Sequence, residues 1–502
     1  MKSICFISVV LWSSMLSITV AQEDILMLKD GRIFDRLSLE AAEGGYVVHY
    51  EHGDILVPSE LIEEVLWLSR PPAADGTKAN NKLEKELQKA AVQRRKQVAD
   101  IEAHSEWKDR YKIKTKYFNF EHTMPPFVFE GYKVQMEAYF AAFCKEWKVR
   151  PQKGYAENPK ETRLLVCFYD NKQLFHQVSG AGRGVLGYFR FVKPLELDIY
   201  YDRLDPDLSR EVMFHEANHY LQKLVNMKFS YPHWPGEALA EFYGASEWDP
   251  VKKKLTSGLI LEGRLTEVQT DITKGDWMTI ARMLTEDMYE HYTWGWTFVH
   301  FLMNTPEYEK KFRKFYLGLA NDKNVKRQRM GIDNLTTVEM RNVFGVFKQY
   351  MGIKDDEQVR ELEREWHSYI ESELHVTSSH GKEKAAKNAA RSNRPIRARR
   401  LYTEAVEAGD ASALAYHNLA KLILSRSWST DESQKQLWKL SEGYWMKAIE
   451  LSPMTSEFYF DYGKEMVEHA DQKEGARLQL LAADIDPEMK RKLSSLDDII
   501  DF

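Results

Sequence analysis

Two histidines four residues apart, the first followed directly by a glutamate, form the run His215-Glu216-Ala217-Asn218-His219. On a helix that spacing projects both imidazoles from one face, so both can reach one metal ion. Glu216 then points beside them, near enough to bind a water at the ion but too far round the helix to ligate it. A second helix start follows, Trp234-Pro235-Gly236-Glu237-Ala238-Leu239-Ala240-Glu241-Phe242, carrying two carboxylates four residues apart. Two histidines and a glutamate around an open fourth position make the ligand set of a catalytic zinc site rather than a structural one. Spacing alone allows either Glu237 or Glu241 as the third ligand. The chemistry implied is hydrolysis by an activated water.

Such a site needs elements to position it. Asp205-Pro206-Asp207 supplies cap and start signals for the first helix, and Leu208, Val212, Leu221, Leu224 and Val225 give it an apolar stripe. The second helix opens after Pro232 and Pro235, and Ala238, Leu239 and Phe242 can pack it onto the first. Upstream, Gly131 to Trp147 reads as a helix, and Leu164 to Phe168 and Leu195 to Tyr201 read as strands. Gly182, Gly184 and Gly187 form a GxGxxG match, but Tyr188-Phe189-Arg190-Phe191 follows instead of a helix on which a pyrophosphate could sit. The glycines are expected to form a loop leading to an edge strand beside the cleft.

The 502 residues suggest about three domains. A hydrophobic fraction of 43% can support folded cores, and a mean hydropathy of −0.51 argues against a multi-span membrane protein. With 70 basic against 76 acidic residues the net charge is −6, so nothing in the bulk points to nucleic acid. Lys2, the apolar run Ile4 to Leu16 and Thr19-Val20-Ala21 read as an export signal over residues 1–21, directing the chain to the periplasm or the extracellular space. The apolar run is too short for a comfortable membrane span, so no transmembrane anchor is expected in the mature chain. Cys144 and Cys167 are then the cysteines left, expected as two buried free thiols.

Residues 22–70 read as a small SH3-like β module: Ile25 to Leu28, Asp30-Gly31 and Arg32 to Phe34 give strand, turn and strand, and Tyr46 to Tyr50 with Ile55 to Val57 flank a second turn at His52-Gly53. Residues 71–114 read as a linker and a charged helix, 115–375 as the domain holding the site, and 376–395 as a polar linker. The stretch 396–490 repeats. Ala448-Ile449-Glu450-Leu451-Ser452-Pro453 returns 34 residues later as Ala482-Ala483-Asp484-Ile485-Asp486-Pro487, the period of tetratricopeptide helix pairs, and a weaker copy begins at Ala405. Residues 491–502 form a tail. Such repeats can bind a protein partner or stack on a neighbouring domain.

The order His215, Glu216, His219 and Glu237 resembles the gluzincin class of zinc peptidases. It resembles more closely a gluzincin-like domain of exported bacterial proteins, in which HExxH is followed by a Trp-x-x-Glu-Gly-x-Ala-Glu-Tyr-like helix and then by a Tyr-x-x-x-Trp-x-x-Val-x-Phe-Leu helix. Here those blocks are His215 to His219, Trp234 to Phe242 and Tyr292 to Leu302, with Ala238 in place of the usual glycine. The resemblance implies an α+β zincin-like metallopeptidase domain, a small mixed sheet with the ligand-bearing helices. It implies one Zn2+ per chain held by His215, His219 and Glu237, with Glu216 as general base. It also implies Glu241 orienting a liganding histidine, Tyr292 stabilising a developing oxyanion, and a peptide or protein substrate. His233 is expected in a solvent loop, and His291 and His300 on an aromatic helix. Two competing readings use the same residues: a non-catalytic binding scaffold with a degenerate metal core, and a zinc amidohydrolase acting on a cell-wall-type amide.

Overall fold

The computed structural model describes residues 24–66, 78–154, 158, 160–391, 393–424 and 431–493, so the export signal read at residues 1–21 lies outside the described residues. The chain is a mixed α+β protein that divides into two units, residues 1–96 and 97–502. The first unit holds five strands, β1 (Asp24–Leu28), β2 (Ile33–Ala42), β3 (Gly45–Tyr50), β4 (Gly53–Pro58) and β5 (Ile62–Leu66). They form one antiparallel sheet in the order β4-β3-β2-β1-β5. The turns fall at Asp30-Gly31 and near His52-Gly53, where the sequence marks them. Helix α1 (Lys78–Ala103) begins in this unit and ends in the next.

The second unit contains the sheet β6 (Tyr111–Lys114), β7 (Phe118–His122), β8 (Leu164–Tyr169), β9 (Gly187–Arg190) and β10 (Glu196–Tyr200), in the order β6-β7-β8-β10-β9. The three inner strands are parallel and both edges are antiparallel. Helices α2 (Pro126–Trp147) and α3 (Lys172–Ser179) connect the first strands. Helix α4 (Pro206–Lys223) follows β10 and packs on β9, β10 and α2. Next come α5 (His233–Gly244), the hairpin β11 (Glu247–Asp249) and β12 (Lys254–Thr256), α6 (Glu262–Lys274), α7 (Ile280–Thr285), α8 (Trp294–Asn304) and α9 (Pro306–Asn321). A short hairpin, β13 (Gln328–Arg329) and β14 (Thr336–Thr337), precedes α10 (Met340–Met351) and α11 (Asp356–Glu373).

Helix α5 runs through the middle of this body, and Trp234, Ala238, Leu239 and Ala240 are all fully buried. It crosses α8 at Gly295, where an added Cβ would lie 3.1 Å from Trp234 Cδ1 and 3.2 Å from Ala238 Cβ. The methyl of Ala238, where the resembling pattern has glycine, is accommodated because α8 presents no side chain opposite it. Gly295→Val is therefore expected to overpack the crossing and destabilise the chain by about 1–3 kcal/mol. Urea unfolding followed by tryptophan fluorescence checks this, and an unchanged midpoint would show the crossing to be slack.

Among the described residues seven further helices follow: α12 (Ser379–Arg391), α13 (Pro395–Glu407), α14 (Ala413–Leu424), α15 (Asp431–Leu451), α16 (Ser456–His469), α17 (Gln472–Ile485) and α18 (Lys490–Leu493). They pack in consecutive pairs, α12 with α13, α14 with α15 and α16 with α17. The repeated Ala-x-x-x-x-Pro segments end α15 and α17, and the weaker copy ends α13, so each closes the second helix of a pair. The first pair must then begin with α12, and residues 379–391 are not the linker that their polarity suggests. They are polar because α12 docks on charged partners. The Lys384 ammonium pairs with Glu211, Lys387 Nζ lies 3.1 Å from Asp205, and Asn388 Nδ2 donates to Glu267 at 3.1 Å. Glu262, at the start of α6, accepts from the Thr377 amide at 2.7 Å. A Cβ on Gly381 would fall 2.3 Å from the Glu262 Cβ, so only glycine permits this approach.

Candidate metal centre

The Asp205 carboxylate accepts from the Leu208 amide at 3.0 Å, and Pro206 occupies the first helical position, where its missing N–H costs nothing. Helix α4 then buries Met213, Phe214, Ala217, Tyr220 and Leu221 in the core, joined by Leu224 at its C-terminal cap. Of the stripe expected along Leu208, Val212, Leu221, Leu224 and Val225, Leu221 and Leu224 are in the core, whereas Leu208 and Val212 line the cleft and Val225 is only partly buried. The helix face that carries His215, Glu216 and His219 must stay open, so the opposite face takes the core. Asn218 and Gln222, polar residues on the buried side, are satisfied: Asn218 donates to the Tyr139 hydroxyl, and Gln222 donates to Asn218 and to the Gly236 carbonyl on α5, each at 2.8 Å.

Three side-chain atoms converge between α4 and α5. His215 Nε2 and His219 Nε2 are 3.2 Å apart, and Glu237 Oε2 lies 3.4 Å from the first and 3.3 Å from the second. Tetrahedral zinc with ligand bonds of about 2.0–2.1 Å has ligand-to-ligand edges of about 3.3–3.4 Å. The three atoms therefore describe one face of a zinc-sized tetrahedron, and the donor set fits that ion. Between Glu237 and Glu241, which spacing leaves open, the geometry brings Glu237 to both Nε2 atoms. Glu241 lies at the far side of His215, its Oε1 3.7 Å from Nδ1.

Electrostatics follow from this crowding. Burial works against the charge on Glu237, but His219 and His215 outweigh it and hold the carboxyl far below its usual range. Burial also disfavours the His215 imidazolium, yet Glu237, Glu241 and Glu216 raise its pKa from 6.5 to about 9. In zinc-free protein this proton adds stability that is fully present below pH 6.5 and is lost as pH rises through about 9. Thermal unfolding in the presence of a chelator should therefore show a falling Tm across that window. A flat profile would contradict the pairing. Burial raises Glu216, opposed by the two histidines and by the Phe189 amide, which donates to its carboxylate. Strand β9 approaches that closely because Gly187 lacks a side chain: a Cβ there would lie 2.7 Å from Val212 Cγ1. The last glycine of the GxGxxG match thus serves the contact between strand and helix.

Glu241 does not act alone on His215. Its side chain is only 4% exposed, and Arg264 on α6 grips it with Nη2 at 2.7 Å from Oε1 and Nε at 3.3 Å from Oε2. Sequence reasoning missed Arg264. The available signal was indirect: a buried glutamate demands a cation, but nothing among 70 lysines and arginines says which one. Arg264 also donates to the Tyr289 hydroxyl at 3.0 Å and lies 5.5 Å from the Tyr292 ring centroid.

Tyr292 sits not within α8 but in the 3-10 turn Tyr289–Tyr292 ahead of it, packed 6.2 Å from the His215 ring. Burial, then Glu237, which accepts a hydrogen bond from it, push the phenol pKa up. The turn therefore delivers Tyr292 to the ligand cluster. His233 is not a loop residue; it opens α5 and meets His291 of the turn, Nδ1 to Nδ1, at 2.6 Å. His300 lies within α8, in the core, against the Tyr369 hydroxyl at 3.0 Å. Cys144 and Cys167 are unpaired, Cys167 buried and Cys144 partly so.

The cluster opens into a cleft of about 1210 Å³ walled by Gly184 to Gly187, α4, α6, the Tyr292 turn and α12. That volume exceeds the usual small-ligand range of about 300–1,000 Å³. Comparison with protein-family models, with curated proteins and with solved structures finds no match for this chain.

Proposed function

We propose that the protein is an exported zinc-dependent metallopeptidase of the gluzincin type, with a zincin-like catalytic domain. The observation that carries this reading is the tetrahedral face formed by His215 Nε2, His219 Nε2 and Glu237 Oε2, with the Glu216 carboxylate one residue from the first ligand. When bound there, zinc supplies Lewis acidity, polarising a carbonyl oxygen and lowering the pKa of water from about 15.7 towards about 7. Glu216, partly buried and with its pKa raised, accepts the proton of the attacking water and returns it to the leaving amine nitrogen. Tyr292, its phenol kept protonated by its surroundings, donates a hydrogen bond to the oxygen that gains charge at the scissile carbonyl. Glu241 and Arg264 hold His215 from behind.

A peptide substrate suits the cleft. Among the described residues strand β9 is paired on one side only, with β10, and its first residue, Gly187, lines the opening, so an extended chain can add to its free edge by backbone hydrogen bonds. We read the N-terminal antiparallel sheet as an SH3-like module. The paired C-terminal helices we read as a short tetratricopeptide-like array, a surface for a protein partner, supported by the 34-residue recurrence. Among the described residues no helix is long and apolar enough to cross a membrane.

The test is a peptide-library cleavage assay on the purified chain with chelator, and then with zinc restored. Cleavage that stops with chelator and returns with zinc supports the reading. Absence of cleavage, with stability indifferent to chelation, favours the scaffold instead.

A further inference from the structure

A second cluster of ligating side chains lies on the other side of Tyr292. His291, fully buried, has Nε2 at 2.9 Å from the Met283 carbonyl oxygen. A carbonyl only accepts, so Nε2 carries the hydrogen, and in the neutral ring Nδ1 is a bare lone pair. That lone pair faces His233 Nδ1 at 2.6 Å, and Asp287 Oδ1 stands 3.4 Å from the same His233 nitrogen. The three potential ligand atoms all lie within 4.8 Å of one another. Two imidazole nitrogens and a carboxylate oxygen are the donor set that borderline divalent cations prefer. The Met283 carbonyl does for His291 what outer partners do at metal sites generally, fixing the tautomer and the ring orientation.

We propose that His233, His291 and Asp287 form a second divalent-cation site that takes zinc-like ions. The edge between His233 and Asp287 already matches a zinc tetrahedron, whereas the two imidazoles must separate by about 0.7 Å to reach an edge of about 3.3 Å. His233 opens α5, is 30% exposed and can move; Asp287 is 75% exposed and leaves the ion a path from solvent. The consequence falls on Tyr292. Its ring lies 5.5 Å from His233, edge to face, and 6.2 Å from His215, so it packs against one histidine of each cluster. An ion held by His233, His291 and Asp287 cross-links the start of α5 to the turn that carries Tyr292. The second site is thus a positioning device for that tyrosine, and its existence does not depend on the first site being catalytic.

The test counts zinc per chain by equilibrium dialysis and elemental analysis on the full-length protein. Wild type is expected to hold two ions, Asp287→Ala and His233→Ala one each, and His219→Ala one, with Asp287→Ala weakening the second ion at least about tenfold. Asp287→Ala changes an exposed residue, so misfolding cannot mimic the result, and far-UV circular dichroism checks the others. One ion in wild type that both His233→Ala and Asp287→Ala retain, but His219→Ala loses, overturns the second site and leaves the metallopeptidase reading standing. An ion lost in His233→Ala and Asp287→Ala while His219→Ala binds as wild type does supports the second site and removes the first.

Discussion

Glu216→Gln is expected to leave zinc on the protein and to cut peptide hydrolysis by about a thousandfold, within the range a positioned acid–base group contributes. The substitution keeps the shape of the side chain and its place beside the Phe189 amide, and it removes no atom from the cluster of His215, His219 and Glu237. What it removes is the capacity to take a proton. The informative result is therefore a split, with zinc content and Tm near wild type and turnover nearly gone. A variant that cleaves at the wild-type rate would show that the proton goes elsewhere and would sink the assigned role of Glu216.

The second large effect concerns a residue with no motif around it. Arg264→Met leaves Glu241, its side chain 4% exposed, as a buried carboxylate without its bidentate partner. Breaking such a pair from one side costs about 3–5 kcal/mol. The loosened Glu241 also ceases to steady the far nitrogen of His215, so zinc affinity should fall by about 10–100-fold. Adding Glu241→Gln to Arg264→Met removes both charges and should recover part of the lost stability but not the affinity, a non-additivity that a double-mutant cycle measures. Single and double variants that unfold and bind zinc as wild type does would show the pair to be idle.

How far these features could be read from the chain depends on their range. His215, Glu216 and His219 are legible because helical periodicity alone brings them together, and Glu237 because a second short motif follows within two turns of helix and a loop. Two of the three hairpins of the first sheet, those turning at Asp30-Gly31 and near His52-Gly53, are legible for the same local reason, turn residues flanked by apolar alternation. Arg264, Asp287 and His291 are not legible, since their neighbours in space are set by how α5, α6 and the Tyr289–Tyr292 turn cross. The buried face of α4 is legible only in part from its aliphatic residues: Leu221 and Leu224 lie in the core, but so do Phe214 and Tyr220, while Leu208 and Val212 face the cleft. Helix α12 hides within the stretch 376–395, which reads as a linker, because polarity in sequence looks the same whether water or a carboxylate answers it.

That last helix changes what a minimal version of this protein would be. A gene trimmed at residue 375, where sequence composition suggests a clean boundary, would strip α12 from the cleft. It would leave Glu211, one helical turn before His215, without the ammonium of Lys384, and Asp205, the cap of α4, without Lys387. The cut surface would be a row of newly solvent-facing carboxylates, Asp205, Glu211, Glu262 and Glu267, along one wall of the opening. The body that holds the ligand cluster and the paired C-terminal helices are therefore not separable cassettes: the shortest fragment that keeps its own cleft intact must extend through Arg391, and swapping those helices for others would redraw the cleft as well.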